Sequence, residues 1–233
     1  MFYRYVRKFE SLEEQTQYFV NKNINTKSLS IRELYLLVLD AYQKYNLEIL
    51  AQYGAFDMIV YLSQTHQFQK ADITLALRLA ALNGFYEIVQ VLFDINFKLE
   101  IKLTVRDYSI ALNYATQTNH EDIIQMILNQ NESLTEQLQT SDYSNALQSA
   151  ARTGHMHLVI KFLSMLRYGS LKLDDYVKII NNATSYGSID IITLVLSHAT
   201  ASRIRISAND CHTARCIAAH CHHYGIFKYL ESL

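Results

Sequence analysis

Apolar and polar positions along this chain follow a pattern that returns every 33 to 35 residues. The clearest copies are DITLALRLAALNG (72–84), DYSIALNYATQTN (107–119) and DYSNALQSAARTG (142–154), aligned without gaps at a spacing of 35. DYVKIINNATSYG (175–187) follows after 33 residues and DCHTARCIAAHCH (210–222) after 35. Behind each copy stands an apolar pair: Ile88/Val89, Ile123/Ile124, Leu158/Val159, Ile191/Ile192 and Ile226/Phe227. Another apolar residue falls three or four places on, which is helical spacing. Upstream, AFDMIVYLS after Gly54 repeats the second half of the unit, making about six units, the first the least complete.

Each unit predicts a helix, a turn and a second helix. Asp72, Asp107, Asp142, Asp175 and Asp210 open the last five, the first three with Thr or Ser two places later. Such side chains satisfy the unpaired N–H groups of a helix start. The first helix carries a small residue at Ala80, Ala115, Ala150, Ala183 and Ala218, which lets neighbouring helices approach closely. It is predicted to end at Gly54, Gly84, Gly154 or Gly187, where a left-handed residue is wanted. Asn119 and His222 occupy that position in the other two copies. The chain contains no proline, so nothing in it breaks a helix strongly. One unit cannot bury its apolar faces alone, but stacked neighbours can, so the pattern predicts an all-α solenoid. The expected repeats cover 46–70, 71–105, 106–140, 141–173, 174–208 and 209–233. Residues 1–45 do not match the unit. SLEEQTQYFVNK (11–22) and SIRELYLLVLDAYQKY (30–45) read as two amphipathic helices, expected to form an N-terminal cap.

LAALNGFYEIVQVLF (79–93) and SAARTGHMHLVIKFL (149–163) carry the A-A-x-x-G-H-x-x-I-V-x-x-L pattern of a helix–turn–helix, and the chain resembles the ankyrin-repeat family over roughly residues 46–233. The resemblance implies a non-enzymatic protein-binding module without cofactors. It also implies that the end of each first helix lines a concave partner-binding surface, which points to Leu82, Asn83, Gln117, Thr118, Arg152, Thr153 and Tyr186. Two departures stand out. The family's T-P-L-H helix start is replaced by LALR (75–78), IALN (110–113) and NALQ (145–148). Its turn glycine is replaced by Ile73, Tyr108, Tyr143, Tyr176 and Cys211, so the units are expected to be joined by plain loops rather than β-hairpins. Repeats this divergent resemble those of proteins that intracellular bacteria or large DNA viruses place in host cells, which implies an effector-type role in a cytoplasm.

Tyr108, Tyr143 and Tyr176 share one register position. Two readings stand: a row of aromatic anchors for a protein partner, or rings that pack on each other and seal the loops.

Charge and chemistry narrow the picture. The net charge of −1 is well mixed, so neither nucleic acid nor an anionic membrane is an expected partner. No apolar run predicts a signal peptide or a membrane span. The three cysteines all lie in CHTARCIAAHCHH (211–223), which gives no disulfide framework and suggests a reducing compartment. No phosphate loop, nucleophile elbow or zincin motif is present, so no catalysis is expected. His212, Cys216 and His220 are spaced i, i+4, i+8 on one helix face, and a metal site is the alternative reading there. The preferred reading is register: Cys211 replaces the tyrosine, His222 the glycine, and His223 the histidine of other copies. The chain is therefore expected to be a monomer that binds another protein. A second possibility is an adaptor or regulatory subunit that docks also through residues 1–45.

Overall fold

A computed structural model describes residues 46–132 and 136–233. The two predicted N-terminal helices, and the cap they would form, lie outside the described residues. Among those described there are twelve helices and no strand. They come in pairs: α1 (Leu47–Gln52) with α2 (Phe56–Thr65), α3 (Lys70–Asn83) with α4 (Tyr86–Lys98), and α5 (Val105–Gln117) with α6 (Glu121–Glu132). Then follow α7 (Thr140–Thr153) with α8 (Met156–Met165), α9 (Leu173–Tyr186) with α10 (Ile189–Ala201), and α11 (His212–His220) with α12 (Tyr224–Glu231). The chain divides into two compact units, Met1–Asp107 and Tyr108–Leu233. In the first, α3 packs on α1 and α4 on α2. In the second, α9 lies between α7 and α11, and α10 packs on α8. First helices thus stack on first helices and second on second, the arrangement of a repeat solenoid.

The turn inside each pair is built the same way six times. Gly54, Gly84, Gly154 and Gly187 have φ of 71°, 77°, 77° and 93°, and Asn119 and His222 reach 62° and 61° at the same position. The next residue then turns its N–H back to the first helix. Phe85 donates to the carbonyl of Ala80 at 3.0 Å, His155 to Ala150 at 2.9 Å, Ser188 to Ala183 at 3.0 Å and His223 to Ala218 at 2.8 Å. His120 donates to Ala115 at 3.0 Å, and Ala55 to Leu50 at 2.9 Å. This is the Schellman closure, which satisfies a carbonyl that the helix end leaves unpaired. The recurring alanines are fully buried, so their missing bulk is what lets the first helices meet. The second helices bury the apolar pairs: Ile88, Val89, Ile123, Ile124, Leu158, Val159, Ile191 and Ile192 are each 2% exposed or less. In the last copy Ile226 is buried and Phe227 half-buried.

The helix starts differ from expectation. Asp72, Asp107, Asp142 and Asp175 do not precede their helices but are the third residue within them. Each carboxylate turns back to accept the N–H of the residue before the helix: Gln69 at 3.0 Å, Thr104 at 2.7 Å, Gln139 at 2.8 Å and Lys172 at 2.9 Å. That is the acidic half of a capping box, and the negative charge also suits the N-terminal end of the helix dipole. Asp210 accepts from Ser207 in the same way at 2.8 Å, although α11 begins only at His212. The hydroxyl two residues on does not serve its own helix. Thr74 donates to Asp107 at 3.2 Å, Ser109 to Asp142 at 2.7 Å and Ser144 to Asp175 at 3.0 Å. Each bond reaches the aspartate of the following repeat, and the run stops where Val177 replaces the hydroxyl.

Two of the loops between pairs are each pinned by one asparagine side chain. Asn96 Oδ1 accepts the N–H of Leu103 at 3.0 Å, and Asn131 Oδ1 that of Leu138 at 2.7 Å. No strand forms there among the described residues, as expected from the sequence pattern.

Candidate binding surface

In the first unit, Leu82 and Asn83 at the end of α3 are half-buried, and the Asn83 amide is occupied by the carbonyl of Leu79 at 2.9 Å. Lys70 bridges Asp107 at 3.4 Å and the carbonyl of Lys102 at 3.1 Å. Burial raises the Asp107 carboxyl, but the Thr104 hydrogen bonds and the Lys70 charge outweigh it and hold the group below its ordinary value.

In the second unit, the ends of α5, α7 and α9 carry the other predicted contacts. Thr118, Arg152 and Tyr186 are exposed, while Gln117 and Thr153 are half-buried. The hydroxyls of Thr118 and Thr153 bond back to the carbonyls of Tyr114 (3.0 Å) and Ser149 (2.9 Å), so these two present methyl groups rather than donors. Tyr186 is 55% exposed, and its ring covers Gly154 of the preceding repeat so closely that a Cβ there would overlap it. The ring therefore sits beside the turn that holds Arg152 and Thr153. In the next turn the His223 ring covers Gly187, 2.7 Å from where a Cβ would lie.

The tyrosine column resolves differently for each ring. Tyr108 and Tyr176 are buried, at 2% and 0% exposure, and offer no surface to a partner. Tyr143 is half-buried, and burial together with the Asp142 and Glu132 charges raises its phenol. The Tyr176 hydroxyl lies 2.8 Å from His198 Nδ1 and donates to Ser202 Oγ at 3.0 Å. Tyr168 also stacks on His198, with ring centroids 5.1 Å apart. Burial raises the Tyr176 phenol, and burial lowers His198. Tyr176 thus packs inward against side chains of the following helix and its C-terminal cap.

The register of α5, α7, α9 and α11 also sets Asn113, Gln148, Asn181 and Cys216 in one column. The first three are half-buried and Cys216 is exposed. Asn113 Oδ1 accepts from Ser149 at 2.5 Å, and Gln148 donates to Ser144 Oγ at 3.3 Å. Asn181 Oδ1 is buried and has no hydrogen-bond partner among the described residues. Sequence reasoning passed over this amide column. The signal was there, since an amide falls six residues after the aspartate in three successive copies.

Register accounts for only part of the cysteine-histidine stretch. Cys211 is buried at the tyrosine position, and burial raises its thiol, as befits a small apolar core residue. His222 takes the left-handed position. His212, Cys216 and His220 are all exposed, so core packing does not explain them. Cys216 Sγ lies 3.9 Å from His212 Nε2. Among the described residues no three His, Cys, Asp or Glu side chains converge as metal ligands. No helix among them is long and apolar enough to cross a membrane.

No curated protein matches the chain at a significant level. Residues 77–170 match the family model described as ankyrin repeats (3 copies). That span runs from α3 to just beyond α8 and includes three of the six turns with a left-handed residue. Ankyrin repeats indicate a protein–protein interaction module, and the match supports an ankyrin-repeat family for this chain.

Proposed function

We propose that the chain binds a protein partner through the ends of its first helices, with the contact centred on Tyr186 and Arg152 in the second unit. The observation that carries this reading is Tyr186. A large ring stands 55% exposed, yet it is held in place over Gly154. Holding it costs little side-chain entropy on binding, which is what an aromatic anchor needs. The exposed Arg152 and the methyl groups of Thr118 and Thr153 supply the variable chemistry around it. The buried alanines and the left-handed turns supply a frame that repeats beneath. On this reading the chain acts as a monomer, without catalysis, in a cytoplasm. Residues 46–233 form the repeat domain, and residues 1–45 serve as its cap or as a second docking element.

A photocrosslinking amino acid placed at Arg152 and at Tyr186, beside a control at the exposed Lys178, tests the site. Adducts with the same protein from the two test positions and none from the control are expected. Adducts from the control alone would refute the location. The effector-type setting rests on the divergence from T-P-L-H. A translocation reporter fused to the chain tests it in a host-cell infection, and retention in the producing cell would count against it.

A further inference from the structure

Among the described residues, α11 is the one first helix that turns a thiol and imidazoles outward. Cys216 is exposed, so it contributes no apolar burial, and its Sγ stands 3.9 Å from His212 Nε2 one helical turn earlier. Residues four apart lie on the same face of a helix, so both side chains project to the same patch of solvent. A zinc ion takes thiolate sulfur at about 2.3 Å and imidazole nitrogen at about 2.0–2.1 Å, and tetrahedral geometry then sets the two donor atoms about 3.5 Å apart. The observed separation is slightly larger, and a small rotation of either exposed side chain closes it.

We propose that Cys216 and His212 form a two-point chelate for a zinc-class divalent cation on the outer face of α11. A thiolate with an imidazole selects borderline-soft ions over magnesium or calcium, which prefer oxygen donors. No third His, Cys, Asp or Glu among the described residues converges with the pair, so water completes the coordination shell. His220 stands one turn beyond Cys216 at the same spacing, but the contact is made with His212. The site does not depend on the protein-binding surface around Tyr186.

The test is a titration of the full, reduced, metal-free chain with Co²⁺ alone, followed by displacement with Zn²⁺. A thiolate-to-cobalt charge-transfer band should appear at one ion per chain and vanish on adding zinc. Binding should tighten as pH rises, because the ligands must lose protons. Cys216→Ser should abolish the band. His212→Gln should weaken binding by about 100-fold, because it removes one arm of the chelate. His220→Gln should weaken it less than His212→Gln does, and Cys221→Ser should leave the band in place. Each variant's helical circular dichroism should match wild type, since these side chains lie outside the core. Absence of a band, a band that survives Cys216→Ser, or equal losses from His220→Gln and His212→Gln would overturn the proposal.

Discussion

Gly154 carries two constraints at once. Its φ of 77° suits a residue without Cβ, and the Tyr186 ring occupies the space a Cβ would need. Gly154→Ala is expected to lower stability by roughly 1–3 kcal/mol in urea unfolding, combining left-handed strain with overpacking. In a Tyr186→Ala background the steric part is relieved, and a loss of about 1 kcal/mol from backbone strain should remain. His198 sets a different expectation. Burial lowers it from the ordinary 6.5, so the unfolded chain holds this proton more tightly than the folded one. Its share of stability is therefore complete above about pH 6.5 and is lost as pH falls from there through the folded value. The thermal midpoint should drop on acidification from about pH 7 to about pH 5, and His198→Gln should flatten that part of the profile. A profile unchanged by the substitution would remove His198 as the cause.

The elements are joined by contacts that recur with the repeat. Ser109 to Asp142 and Ser144 to Asp175 each link a helix start to the next one, while the same carboxylate caps its own helix. Ser144→Ala should cost about 1 kcal/mol, the usual net worth of a side-chain hydrogen bond. Asp175→Asn should cost more, because it weakens the cap and the link together. A double-mutant cycle should return a coupling of about 0.5–1 kcal/mol between the two positions, and a coupling of zero would deny the bond. In the first unit, Asp107 is held below its ordinary value, so its stabilisation is present above about pH 3.8 and fades as pH falls through the lower folded value. The sequence showed where these aspartates recur and that they cap helices. It did not show that the hydroxyl two places on belongs to the next aspartate. That partner lies 31 to 33 residues away and is set by stacking rather than by local geometry.

At the scale of the molecule, a stack of repeats is stabilised by each repeat's neighbours. In the second unit α9 is packed against α7 on one side, α11 on the other and α10 of its own pair. Native-state hydrogen exchange should therefore find its slowest amides in α9. Uniform protection through the second unit would mean that it unfolds as one block. The sequence by itself determined the repeat, the helix pairs, the six left-handed turns and the burial of Ala80, Ala115, Ala150, Ala183 and Ala218. These follow from helical period and backbone conformation, which neighbouring residues in the chain impose. Only the tertiary structure decided the fate of individual side chains. Tyr176 became a core residue because His198 and Ser202, 22 and 26 residues later, meet its hydroxyl. Cys211 went inside while Cys216 stayed outside with His212. Tyr186 stayed on the surface because Gly154 of the preceding repeat gives its ring a seat. Burial depends on which neighbour arrives through space, and a one-dimensional pattern fixes the face of a helix without naming what will cover it.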